Sequence, residues 1–395
     1  MYLLDNPIRD YAWGSPTALA ALLGHEPTGR PEAELWIGAH ESDPSRLPDG
    51  RRLDDEIRDR AVPVLGPDVA DGFGGRLPFL MKVIAVDQVL SLQVHPPADR
   101  ARLGHAREEV AGVPVDAPQR RYRDPWHKPE LVLALTPFET LAGFRDVRRS
   151  AALLRLLGTP WAGATAARLE EGDPAAALRS VVAETLGLPG PEVAVLVAEV
   201  TAAAGRVRDA GPGDLRVFEI LGQLAGRYPD DPAVLVALLL NDVVLEPGDA
   251  LYIAPGVIHA HGSGLGLEIM AASDNVLRAG LTPKHRDVEE LLAVTDFTPG
   301  PPPRSAPGET GPEFARFGTA AAEFELVVGR PPLPALPDSG PRILFALDAD
   351  VEIVAGGRTL HVPRGRSAFL EHDDGPVAVT GAAWVAVGAV PVKVV

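Results

Sequence analysis

The chain has 395 residues, a formal net charge of −17, no cysteine, and 46% hydrophobic against 23% charged residues. Disulfides and thiolate-held metals are thereby excluded. His, carboxylate and amide groups remain as donors to any cation, and the cytoplasm is the expected compartment. The acidic balance argues against nucleic acid, which needs clustered Lys and Arg. It leaves room for a small phosphorylated ligand, because a few basic side chains converging in one pocket reverse the field locally.

Length alone suggests two or three domains. The start, MYLLDNPIRDYAWG, lacks the basic-then-apolar pattern of a secretory leader. No run of about eighteen apolar residues is present, so no membrane span is expected. Up to Arg145, short apolar runs alternate with turn residues: Leu80 to Val86, Val89 to His95 and Glu130 to Leu135. These read as strands of an all-β body. From Asp146 to Leu240 the apolar spacing becomes helical, as in Leu153, Leu154, Leu157 and Val193, Leu196, Val197, Val200. Breaks at Gly158-Thr159-Pro160, Leu188-Pro189-Gly190, Gly211-Pro212-Gly213 and Tyr228-Pro229 divide this region into several helices. Strand texture returns at Asp242, with one short helix expected over Asp287 to Thr295. A stiff linker begins at Pro299. Beyond it, Gly356-Gly357 lies between two alternating runs and reads as a hairpin turn. The expected architecture is mainly β, with a helical domain (146–240) inserted into a β body (1–145 and 241–298), followed by a linker and C-terminal β-barrel domain (299–395).

Three segments carry chemistry. In Ser91-Leu92-Gln93-Val94-His95-Pro96, strand alternation would place Gln93 and His95 on one side. That is an amide and an imidazole suited to a metal, although the pair taken alone favours the plainer reading of a strand end with a satisfied core histidine. His127-Lys128-Pro129-Glu130 packs three charged or chargeable groups at a strand start, and Glu130 would need a cationic partner if buried. A metal or a surface salt bridge would both serve. Finally, Gly248-Asp249, a short strand, Pro255-Gly256 and His259 follow an order that recurs in cupin barrels, with His261 and Glu268 beyond. Taken together, Gln93, His95, Glu130 and His259 form a donor set suited to catalytic zinc with an open position.

Tyr11-Ala12-Trp13-Gly14, Glu34 to Gly38, Leu90 to Pro96, His127 to Glu130 and, above all, Ala271-Ala272-Ser273-Asp274-Asn275-Val276-Leu277-Arg278-Ala279-Gly280-Leu281-Thr282-Pro283-Lys284 resemble the type I phosphomannose isomerases in content and order. The resemblance implies cupin-type jelly-roll barrels and one zinc ion held at Gln93, His95, Glu130 and His259. It implies a catalytic arginine at Arg278, with pocket residues at Trp13, Lys82, Ser91, Lys128, Glu268, Asp274 and Lys284. One position departs. Where that family usually has Tyr, this chain has His261, whose charge would be expected to vary near neutral pH.

The implied reaction interconverts mannose-6-phosphate and fructose-6-phosphate through an enediol. Arg278 and Lys128 would add positive charge, and Asp274, Glu268, His127 or a metal-held water would carry the proton. Ser91, Lys82 and Lys284 would hold the phosphate. The expected partner is a small phosphorylated sugar, with neither nucleic acid nor membrane, and the chain is expected to be a monomer. A metal-dependent oxygenase and a non-catalytic sugar-phosphate binder are the rival readings, separated by an assay for fructose-6-phosphate with and without chelator.

Overall fold

The computed structural model describes residues 1–210, 215–311, 313–334 and 336–391. Its architecture is mainly β. One sheet of eleven strands runs Arg304–Ser305, Ala250–Ile253, Glu130–Ala134, His259–Ala271, Phe79–Val86, Glu34–Ile37, Ile8–Arg9. Leu92–Val94, Leu277–Gly280, Phe138–Phe144 and Leu240–Leu245 pair off that path. A seven-stranded sheet is made mostly of residues beyond Glu309, with Tyr2–Leu4 as its edge.

The strand His259–Ala271 organises the larger sheet. Its first residues pair with Leu92–Val94 and Phe138–Phe144, and its later ones with Phe79–Val86 and Glu130–Ala134. The change of partners coincides with a register break between His261 and Ser263. Just beyond, Gly264 adopts φ +115°, and a Cβ there would lie 2.5 Å from the Pro137 carbonyl oxygen. Only glycine passes this crossing.

Strand alternation then sorts the side chains. Met81, Val83, Leu131, Leu133, Leu267 and Ile269 face the seven-stranded sheet, burying Leu326, Ile343, Phe345 and Phe369 between the layers. The alternate residues Ile84, Val132 and Ala134 turn inward to meet Phe138, Ala142, Val243 and Leu245. The same inward rows carry Lys82, Glu130 and Glu268. Charges on an apolar interior face are costly unless they are paired.

Among the described residues, six helices follow one another between Val147 and Ala237. Asp146, Thr159 and Asp173 cap three of them by accepting backbone N–H groups, and Pro160 and Pro174 occupy first-turn positions. Their apolar faces, including Leu154, Val182, Val197 and Leu221, pack on Leu92, Val94, Leu141, Ile258 and Ala260. Three of the four expected helix breaks lie between helices, whereas Gly211-Pro212-Gly213 lies outside the described residues. The helix Val288–Val294 starts at Asp287, whose side chain accepts the Glu290 N–H at 2.9 Å. Gly356 and Gly357, with φ +55° and +74°, turn the hairpin between Val351–Ala355 and Arg358–Val362.

The stretch before Arg145 is not purely β, as its texture suggested. Helices occupy Ala18–Leu23, Leu53–Asp59, Ala61–Leu65, Pro67–Gly72 and Ala98–Val110. Four are too short for a periodic signal. The fifth is polar all round and is held by ion pairs such as Glu108–Arg121 (3.0 Å) and Arg100–Glu290 (2.7 Å). No single helix among the described residues is long and apolar enough to cross a membrane.

Candidate metal centre and active site

Register alone builds half of the site. His259 pairs with Gln93, which pairs on its other side with Arg278. Directly opposed residues project to the same face, so an imidazole, an amide and a guanidinium stand in one row. Ser91 and His95, each two positions from Gln93, share that face. A second row crosses the sheet as Trp36, Lys82, Glu268 and Val132, with Glu130 two residues before Val132.

His95, Glu130 and His259 converge. They are 1%, 2% and 0% exposed, and one ligand atom from each lies within 4.8 Å of the others. The Glu130 carboxylate lies 3.2 Å from His95 Nε2 and 3.3 Å from His259 Nε2. Tetrahedral coordination with bonds of about 2.0–2.1 Å separates neighbouring ligand atoms by about 3.3 Å. The tautomers suit a cation too. His95 Nδ1 donates to the Asn275 carbonyl (2.7 Å) and His259 Nδ1 to the Val257 carbonyl (3.0 Å), leaving each Nε2 with a free lone pair. His95 Nε2 is buried without a hydrogen-bond partner. This donor set therefore fits a zinc-sized cation. Gln93 joins it with its amide 3.3 Å from His259 Nε2, while Ser91 Oγ donates to its carbonyl oxygen at 3.1 Å. The two amide atoms are interchangeable by rotation, so Gln93 can present oxygen to the same point.

The charges around the cluster are graded. Burial works against the charge of Glu130, yet Lys128 (2.9 Å) and His95 hold its carboxyl well below the usual range. Lys82 is opposed by burial as well, and Glu34 (3.7 Å) and Glu268 (3.5 Å) keep it protonated. Trp36 donates its indole N–H to Glu34 at 2.6 Å and lies under the Lys82 ammonium, 5.0 Å from the ring centre. Glu268 behaves differently. Burial first, then the neighbouring charge of Glu130, pushes its carboxyl up to about 7, against the pull of Lys82 and Lys128.

His261 corrects one expectation. Burial, then His259, lowers it to about 3, so the ring is neutral throughout the physiological range rather than titrating within it. Its Nδ1 lies 3.1 Å from the Thr140 hydroxyl and its Nε2 3.9 Å from Glu268.

Not every residue singled out in the sequence meets the cluster. His127 is engaged by Glu323 at 2.7 Å. Asp274 pairs with His40 at 3.4 Å and, although burial opposes it, that hydrogen bond lowers its carboxyl to about 2. Trp13 stacks on Tyr11 with ring centres 5.7 Å apart. Arg278 and Lys284 carry no carboxylate partner among the described residues. Burial lowers both, and the charge of Arg123 acts on each. Sequence reasoning passed over Arg123, which brings a third cation to this group.

It also passed over why Ser273 to Leu281 is so particular. Asn275 accepts the Arg123 N–H (2.8 Å), donates to the carbonyls of Asp124 (2.7 Å) and Trp126 (2.8 Å), and offers its own carbonyl to His95. Leu281 sits at φ +58°, which costs a non-glycine residue about 1 kcal/mol or more, and Asp231 accepts its N–H at 2.7 Å. A cavity of about 600 Å³ lies elsewhere, between the Arg216–Arg227 helix and the strands at Glu139 and Gly262, and includes none of the clustered ligands.

Comparison with known proteins identifies the family. A family model described as phosphomannose isomerase type I, catalytic domain, matches residues 1–147. The chain is 37% identical to the mannose-6-phosphate isomerase of Escherichia coli K12 over 393 residues, covering 96% of this chain and 97% of that one. It is 35% identical to the rat mannose-6-phosphate isomerase, over 76% of this chain and 74% of that one. A crystal structure of the Salmonella typhimurium mannose 6-phosphate isomerase bound to substrate and to zinc superimposes with a TM-score of 0.89 at 35% identity, covering 99% of this chain and 100% of that one.

Proposed function

Because this chain belongs to the mannose-6-phosphate isomerase family, we propose that it interconverts mannose-6-phosphate and fructose-6-phosphate, with one zinc ion held by His95, Glu130, His259 and Gln93. The observation that carries this reading is the convergence of two correctly tautomerised imidazoles on one buried carboxylate. Bound there, zinc supplies a Lewis-acid centre that lowers the cost of negative charge on the sugar oxygens.

The remaining work falls to side chains. Isomerisation takes a proton from C2 of the aldose and delivers one to C1, while a hydroxyl proton passes from O2 to O1. Glu268 is the proposed carbon-proton carrier, since a carboxyl near neutrality both accepts and returns a proton. The Lys82 ammonium stands beside it at 3.5 Å and Lys128 beside Glu130 at 2.9 Å, cations that favour developing negative charge. Arg278, Lys284 and Arg123 are the proposed phosphate wall: mutually repelling cations, of which Arg278 and Lys284 have no carboxylate partner among the described residues, favour an incoming dianion. Trp13 and Ser91 would line the pocket, and His261 would replace the usual phenol as a neutral hydrogen-bonding group. His127 and Asp274 are assigned to positioning rather than to proton transfer, given their engagement by Glu323 and His40.

The same reading supplies the finer architecture. We propose a cupin-type jelly-roll catalytic domain over 1–145 and 241–298, a helical domain inserted at 146–240, and a C-terminal β-barrel domain after the linker at 299. We further propose a cytoplasmic monomer. A coupled assay for fructose-6-phosphate formation tests the function. Activity should vanish with a chelator and return with zinc, and full turnover by the metal-depleted protein would overturn the proposal.

A further inference from the structure

We propose that Glu130, His261 and Glu268 form a second station for a divalent transition-metal ion, sharing Glu130 with the His95–Glu130–His259 cluster. One ligand atom from each of the three lies within 4.8 Å of the others, and all three residues are buried. The imidazole is prepared for the role. Thr140 Oγ lies 3.2 Å from the Ala260 carbonyl and 3.1 Å from His261 Nδ1. A hydroxyl that donates to that carbonyl accepts the Nδ1 proton, and this sets the tautomer with the lone pair on Nε2. That atom is buried with no hydrogen-bond partner, and it faces Glu268 at 3.9 Å.

One imidazole and two carboxylates suit zinc or cobalt better than the all-oxygen ions magnesium and calcium. A phenol at position 261 would leave only the two carboxylates, so the station depends on this chain's own residue. Its affinity is limited by neighbours. The Lys82 ammonium holds the other Glu268 oxygen at 3.5 Å, and Lys128 holds Glu130 at 2.9 Å. Both repel a further cation, so the station fills only after the first site, at excess metal. Occupancy would draw Glu268 away from Lys82 and from any proton-carrying role, making excess metal inhibitory.

The inference rests on the zinc reading only through the shared Glu130. The test is equilibrium dialysis of the zinc-loaded full-length protein against cobalt, with both metals counted by mass spectrometry. Wild type should retain one zinc and take up one further cobalt in a saturable step. His261→Tyr should keep the zinc and weaken the cobalt step by about 100-fold or more. Glu268→Gln, checked with it for native near-ultraviolet dichroism, should weaken that step likewise. Zinc retained with no cobalt step up to millimolar concentration would overturn the second station alone. So would a cobalt step that survives both substitutions, which would mark surface binding. Failure to retain zinc as well would bring down the first site and the second together.

Discussion

Glu268→Gln separates what this carboxyl costs the fold from what it contributes to turnover. In the metal-free protein its folded value is pushed up from 4.5 to about 7. Because the folded value lies above the unfolded one, the penalty is absent below pH 4.5, accrues as pH rises through the interval, and is complete above pH 7. At about 1.4 kcal/mol per pH unit, that interval corresponds to about 3 kcal/mol of stability forgone at pH 8. Gln mimics the protonated acid without ionising. The metal-free variant should therefore match wild type near pH 4 and exceed it by up to about 3 kcal/mol at pH 8, as read by urea denaturation at the two pH values. In the zinc-loaded enzyme kcat should fall by about 100-fold or more, because the proton carrier is gone. The wild-type acid limb of the rate profile should lie below pH 7, since the cation offsets the Glu130 charge that helps to raise Glu268. A variant less stable than wild type at pH 8, or one with undiminished kcat, would refute the reasoning.

Four further outcomes are expected. Arg278→Ala removes a charge-assisted contact of about 1.5–3 kcal/mol, so kcat/KM should drop about 10- to 150-fold with zinc content and melting temperature retained; near-normal kinetics would remove Arg278 from the site. His259→Ala should lower zinc occupancy measured by mass spectrometry, and full metal with full activity would refute the ligand assignment. Asn275→Ala loosens the segment that fixes His95 Nδ1, and zinc affinity should weaken about 10- to 100-fold in competition with a chelating dye. Gly264→Ala places a Cβ 2.5 Å from the Pro137 oxygen at φ +115°. It should destabilise the fold by about 1–3 kcal/mol in denaturant titration, and an unchanged midpoint would refute the close approach.

Much of this protein is determined by local sequence. Alternation in Ser91 to His95 and Leu80 to Val86 determines which residues share a face, because side chains on a strand have a period of two. Apolar spacing and the Pro and Gly breaks determine the helices between Val147 and Ala237. The absence of cysteine restricts the metal donors to His, carboxylate and amide. Other features depend on contacts between distant segments. Whether Glu130 and His127 face the same partner is decided by packing: one enters the His95–His259 cluster and the other meets Glu323. Composition likewise says nothing of Arg123 standing near Arg278, or of His261 being neutral. Burial and neighbouring charge shift a protonation state, and both exist only once strands far apart in the chain lie side by side.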